Sequence, residues 1–95
     1  MSILKMYSLL IDKIINNNKQ KIVYKKDYCG DNRYTNCIVF ENDILKIVSN
    51  VLTKSCIVLR KANNSPIIQR NVNGDIVCSD EVELIKEEMI RLSNS

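Results

Sequence analysis

Histidine and tryptophan are absent from this 95-residue sequence, while glycine, proline and phenylalanine supply only two, one and one residues. Without histidine, the chain can form neither a Ser-His or Cys-His nucleophile pair nor a histidine metal ligand. Gly30 and Gly74 are isolated, which excludes the glycine-rich loops that bind phosphate in nucleotide-binding enzymes. The scarcity of glycine and proline also argues against a disordered chain. No catalytic motif is visible, and we do not expect an enzyme.

The four cysteines, Cys29, Cys37, Cys56 and Cys78, include no CxxC pair. Zinc sites built from cysteines normally bring their ligands in such close pairs, so we predict no metal site. Three of the cysteines lie inside apolar runs, where cysteine usually acts as a small buried hydrophobe. We therefore predict reduced thiols in a cytoplasmic protein without a cofactor. A disulfide framework is less favoured, because the sequence shows no signal peptide.

The length and the 45% apolar content are those of one small globular domain spanning residues 1–95. The net charge of +3 is unevenly spread: residues 1–61 carry eleven Lys/Arg against five Asp/Glu, and residues 62–95 carry three against six. The positive part indicates either an ordinary solvated surface or an anionic partner. Ile, Asn and Lys supply 36 residues. Their codons are AT-rich, which is typical of a low-GC genome such as that of a phage or mobile element.

The hydrophobic spacing predicts three helices, at residues 2–17, 42–54 and 80–92. The first is apolar over most of its circumference, so we expect it to contact either two parts of the domain or a second subunit. It is too short and too often interrupted by charge to cross a bilayer, so no membrane association is expected. The last helix carries an a/d-like apolar stripe. A homodimer through the first or the last helix would use this apolar surplus.

Strands are predicted at residues 20–26, 35–40 and 56–61, with a hairpin over 66–78 that turns at Asn73-Gly74. The lysines of the first strand are typical of a protected sheet edge. Strand, helix and strand over residues 35–61 predict a βαβ unit if the two strands pair in parallel. The fold class is therefore α+β: a single sheet of four to five strands with three helices, in the order α-β-β-α-β-β-β-α.

One segment, residues 19–34, combines basic and tyrosine side chains. Cations can meet phosphates, and tyrosine rings can stack on bases, so the segment is a candidate contact with nucleic acid or another partner. The alternative interpretation is an ordinary edge strand protected by lysines. The candidate residues are Lys21, Tyr24, Lys25, Lys26, Tyr28, Arg33 and Tyr34.

These observations favour a small non-catalytic interaction protein that binds a macromolecular partner, with a protein as the expected partner. A regulator or inhibitor encoded by a phage or mobile element would fit the composition. A small nucleic-acid-binding protein that uses residues 19–34 is the alternative. An enzyme would need a site that the sequence does not reveal.

Overall fold

The computed structural model describes residues 2–26 and 36–95, with the backbone alone for residues 24–26 and 36. These residues form two α-helices and one antiparallel sheet of six strands, whose spatial order follows the chain. The elements are α1 (Ile3–Asn17), a 3₁₀ helix (Lys19–Lys21), β1 (Val23–Lys26), β2 (Asn36–Glu41), β3 (Leu45–Asn50), β4 (Cys56–Arg60), β5 (Ser65–Arg70), β6 (Ile76–Cys78) and α2 (Val82–Ser93). The predicted α+β class with a single sheet is confirmed, and this sheet has six strands where four to five were predicted.

The middle helix predicted at residues 42–54 is wrong, because this segment contains β3 and the turns on either side of it. β3 pairs antiparallel with both β2 and β4, so the predicted βαβ unit over 35–61 is also wrong. Leu45 and Ile47 pack with the main core, and Val48 packs in a second cluster. The apolar residues at positions 44, 45, 47, 48, 51 and 52 recur at the three- and four-residue spacing of a helix, so this segment satisfies the helical pattern although it forms a strand. The described part of the chain has two α-helices instead of three.

Two asparagines explain why the chain turns at both ends of β3. The Oδ1 atoms of Asn42 and Asn50 each accept hydrogen bonds from the backbone N–H groups two and three residues further on, at 2.8 to 3.0 Å. Such a side chain can build this Asx turn or cap a helix with the same bonds. Asn42 stands at the start of the helix predicted at residues 42–54 and could have capped it, but in the structure it forms the turn between β2 and β3.

The predictions for the other helices are confirmed. Ser2 caps α1, because its Oγ accepts a hydrogen bond from the N–H of Lys5 at 3.2 Å. Ile3, which the spacing places on the apolar stripe, is 55% exposed. The buried hydrophobic residues of the two helices are Tyr7, Leu10, Ile11 and Ile14 in α1, and Val82, Ile85, Met89 and Leu92 in α2.

Both helices cover the same face of the sheet. One core cluster joins their buried residues to inward side chains of the strands, including Phe40, Val58 and Ile68. A smaller cluster, centred on Val39 and Val48, lies on the other face. The arrangement is therefore a layer of helices on one side of an antiparallel meander. Neither described helix combines the length and apolarity needed to cross a bilayer.

The predicted hairpin is also observed, and the edge strand predicted at residues 20–26 is observed in part, because residues 19–21 form the 3₁₀ helix. β5 pairs antiparallel with β6, and the turn between them places Gly74 at φ 88°, with its N–H donating to the carbonyl of Asn71 at 3.0 Å. Only Gly74 of the Asn73-Gly74 pair needs the left-handed region. β1 begins at Val23 and is the first strand of the sheet order, next to β2.

The cysteines divide into two states. Cys56 and Cys78 are free thiols, as predicted. Cys37 is disulfide-bonded, which corrects the expectation that all the cysteines are reduced. Cys29 lies outside the described residues.

Candidate functional site

A groove runs along α1, where this helix meets the turns and strand ends of the sheet. Its central depression has a volume of about 570 Å³. That depression shares Ser8 and Gly74 with a smaller one on one side, and Asn16 and Lys19 with a third on the other. The three depressions adjoin, and we refer to them together as the α1 groove.

Arg70 forms part of the groove wall, and its side chain is only 5% exposed. Its Nε donates a hydrogen bond to the carbonyl of Lys54 at 2.9 Å. One terminal nitrogen donates to the carbonyl and the Oγ of Ser8, and the other donates to Oδ1 of Asp12 at 3.0 Å. These four bonds engage most of the N–H groups of a cation that would otherwise be costly to bury. They join β5, the β3–β4 turn and α1 into one wall.

Local chain geometry places the groups that Arg70 binds. The turn after Asn50 brings Lys54 into the left-handed region at φ 66°, and the N–H of Lys54 donates to the carbonyl of Asn50 at 3.0 Å. This conformation presents the Lys54 carbonyl to Arg70. On α1, Ser8 and Asp12 are four residues apart and therefore lie on one helix face.

The groove is rich in positive charge. Its lining side chains include five basic groups against one acidic group, Asp12. The four lysines are exposed, and within the described part of the chain none of them forms an ion pair. Their ammonium groups remain accessible to an anionic ligand. The basic residues are Lys5, Lys19, Lys21, Lys54 and Arg70.

Apolar side chains lie between these cations. Ile15, Ile38 and Val51 are half-buried in the lining of the central depression. In the smaller depression, Leu9 is 47% exposed beside half-buried Ile76. The groove thus offers both charge and apolar surface to a ligand.

The thiol nearest to this wall is held in its neutral form. Burial raises the pKa of Cys56, although the neighbouring Arg70 cation opposes the shift and Asp12 adds to it. Burial likewise raises the pKa of Cys78. Because the thiolate is the reactive species, neither group is set up as a nucleophile.

The residues singled out from the sequence fall only partly in this site. Lys21 is exposed in the 3₁₀ helix and lines the third depression. Tyr24 pairs in register with Ile38, a lining residue, so the backbone of β1 runs beside the groove. Lys25 and Lys26 follow Tyr24 on the same strand. The remaining three predicted residues lie outside the described residues; they are Tyr28, Arg33 and Tyr34.

Sequence reasoning missed the wall itself, although one signal was present. Ile68 and Arg70 are two residues apart in the strand predicted after Pro66, so strand periodicity places both on the same face. An arginine on the inward face of a strand needs several acceptors. Asp12, on the polar face of the first helix, was an available partner. The contribution of the Lys54 carbonyl had no sequence signal, because it depends on the turn that replaces the predicted helix.

Comparison of the chain with protein-family models, with curated proteins and with solved structures gives no match. Within residues 2–26 and 36–95, no three Cys, Asp or Glu side chains come together in a way that could hold a metal ion. The α1 groove is therefore the feature from which a function can be argued.

Proposed function

We propose that this protein is a non-catalytic interaction protein that receives a macromolecular partner in the α1 groove. By covering part of its partner, it would act as a regulator or inhibitor. The observation that carries this proposal is the groove itself: a wall fixed by buried Arg70 and a rim of four exposed lysines.

The chemistry of the groove supports binding. Arg70 already donates four hydrogen bonds inside the protein, so its main role is to hold the wall in place. Cys56 is a buried thiol with a raised pKa, which keeps it neutral. A fixed wall with accessible lysines and apolar side chains suits the recognition of a surface of opposite charge.

Position-specific photo-crosslinking tests this proposal. A photoreactive amino acid replaces Leu9 or Lys21, which line the groove, or Leu84, which is exposed on α2 and serves as the control. In cells of the source organism, we expect defined adducts from the groove positions and none from Leu84. Adducts from Leu84 alone, or from no position, would contradict the proposal.

Nucleic acid is the second candidate partner. Lys19 and Lys21 are exposed at one end of the groove, and β1, with Lys25 and Lys26, continues from there. Such a run of cations can follow a phosphate backbone.

Salt dependence tests the nucleic-acid candidate. An oligonucleotide bound by this run should lose affinity steeply between 50 and 200 mM salt, by roughly tenfold or more for each few phosphate contacts. The double variant Lys19→Glu with Lys21→Glu should abolish binding, whereas Lys13→Glu, an exposed lysine outside the groove lining, should not. An oligonucleotide affinity that changes neither with salt nor in the double variant would exclude nucleic acid as the partner of this groove.

A further inference from the structure

We propose that the occupant of the α1 groove is an acidic, partly apolar peptide segment of a partner protein. A carboxylate of the segment docks beside Arg70 and Lys54, and an adjacent apolar side chain packs against the half-buried apolar lining. This inference rests on the proposed function and specifies the chemistry of the ligand.

Three cationic side chains line the central depression and retain hydrogen-bonding capacity for an anionic ligand. Arg70 carries five N–H groups, and four hydrogen bonds engage them, so one N–H on the nitrogen that binds Asp12 has no acceptor among the described residues. Lys19 and Lys54 line the same depression and have no carboxylate partner in the described part of the chain. Arginine and lysine around one carboxylate form charge-assisted hydrogen bonds, which are stronger than neutral ones.

The apolar lining of the central depression favours a ligand that carries apolar surface as well as negative charge. Ile15, Ile38 and Val51 retain exposed surface in the central depression. Covering that surface is favourable by about 25 cal/mol per Å² of apolar area removed from water. A peptide with an acidic residue next to Leu, Ile or Phe satisfies both requirements at once.

The length of the groove also suits a peptide. The 15 residues of α1 span about 22 Å at 1.5 Å per residue. An extended peptide advances about 3.3 Å per residue, so roughly seven residues would run the length of the helix. This is the size of a short linear segment.

Nucleic acid fits the same groove less well. Asp12 is 57% exposed at the side of Arg70, where it would repel a polymer that carries a charge on every unit. A phosphodiester backbone offers nothing to cover the three apolar residues. Base stacking needs aromatic rings, and no aromatic side chain of the described residues is in the lining.

A peptide array tests the inference with the whole protein. One set of eight-residue peptides combines Asp or Glu with Leu, Ile or Phe; the matched set replaces the acids by Asn or Gln. Peptides that bind are then measured in solution by fluorescence anisotropy, alongside a labelled twelve-nucleotide poly-dT. We expect acidic peptides to bind at least tenfold more tightly than their amide counterparts and than poly-dT.

The variants locate the binding site. Lys54→Glu and Val51→Asp should each weaken the best peptide at least tenfold, while Lys13→Glu, on α1 but outside the groove lining, should change its affinity less than threefold. Lys54 and Val51 lie in a surface turn, so these variants are expected to fold, and their circular dichroism spectra should match that of the unaltered protein.

The remaining outcomes overturn the inference in distinguishable ways. If poly-dT binds more tightly than the acidic peptides, or amide peptides bind as well as acidic ones, the chemistry of the ligand is wrong. If no acidic peptide binds, the inference fails, and the crosslinking at Leu9 and Lys21 decides the proposed function separately. Adducts at these positions would still support the proposed interaction protein, but with a ligand of different chemistry.

Discussion

Arg70 on β5 and Asp12 on α1 are joined by a 3.0 Å ion pair whose two members lie in different environments: the arginine side chain is 5% exposed and the aspartate side chain 57%. The buried arginine depends on its acceptors, whereas the aspartate can exchange the arginine for water. The pair therefore positions the helix on the sheet through the arginine.

The variants Arg70→Met and Asp12→Asn should differ in stability for this reason. Arg70→Met leaves the carbonyl of Lys54 and the Oγ of Ser8 without their donor, so the free energy of unfolding should fall by about 1–3 kcal/mol. Asp12→Asn removes only the negative charge of a half-exposed partner and keeps an oxygen acceptor, so it should cost at most about 1 kcal/mol. Urea unfolding measures both. Equal losses for the two variants would contradict this assignment.

Glu88 should give the protein part of its acid sensitivity. Its carboxylate accepts hydrogen bonds from Arg91 at 2.7 Å and from Asn42 at 2.8 Å. The hydrogen bond from Arg91 is the main reason why the pKa of Glu88 is lowered from its ordinary 4.5, and burial opposes this shift. A carboxyl group with a lowered pKa in the folded state stabilises the protein above its unfolded pKa. That stabilisation is lost as the pH falls below about 4.5 and through the folded pKa.

The variant Glu88→Gln tests this dependence. Chemical unfolding at pH 7 and pH 3 should show a smaller loss of stability on acidification in the variant than in the unaltered protein. Glu87→Gln, at the exposed neighbouring position, is the control and should leave the loss unchanged. An unchanged loss in Glu88→Gln would show that this cluster does not contribute.

Gly74→Ala should destabilise the β5–β6 hairpin through the backbone alone. A Cβ at this position would meet no atom within 4 Å, but φ is 88°, a region that side chains other than glycine rarely adopt. We expect a loss of roughly 1 kcal/mol in the free energy of unfolding. Asn73→Ala, at a position without positive φ, should cost less; a larger loss there would contradict the turn geometry.

Tyr7→Phe should be neutral or slightly stabilising. The Tyr7 hydroxyl is buried and has no hydrogen-bond partner among the described residues, and the residue is 1% exposed. Removing an unsatisfied hydroxyl avoids its desolvation cost, so a gain of up to about 1 kcal/mol is expected in thermal or urea unfolding. A clear loss of stability would indicate that the hydroxyl has a bound partner.

The three described cysteines should react in a fixed order. In the native protein without reductant, alkylation should reach half-buried Cys78 before Cys56, which is 8% exposed, because burial limits access and raises the pKa of both thiols. Cys37 should react only after reduction and unfolding. Peptide mass spectrometry follows each site, and rapid native labelling of Cys37 would contradict the disulfide.

The sequence sufficed to predict both terminal helices, the single sheet and the final hairpin, because each carries a local signal. The apolar spacing in α2 and the glycine at position 74 act over a few residues. β3 carried no such signal: Ile47 and Val48 are buried on opposite faces, and the spacing of the apolar residues around them suits a helix equally well. Whether it forms a helix or a strand depends on its neighbours, β2 and β4, which only tertiary pairing supplies.

The candidate site was harder to predict than the fold. Lys21 belongs to a visible cluster of lysines, and the structure places it at one end of the groove. Arg70 binds residues 16, 58 and 62 positions away in the chain. A contact of that range, made partly through a backbone carbonyl, leaves no pattern in a single sequence.

The strict succession of strands has a consequence for how the chain assembles. Each strand hydrogen-bonds to its successor in the chain. The sheet can therefore form strand by strand through short loop closures, which cost little conformational entropy. The core-facing side of the sheet is covered later, because α1 and α2, which contact each other there, come from opposite ends of the described chain. During synthesis, that side of the sheet remains exposed to solvent until α2 has emerged from the ribosome. The Arg70 wall can close only once β5 has been made, so the binding cleft is among the later parts of the molecule to mature.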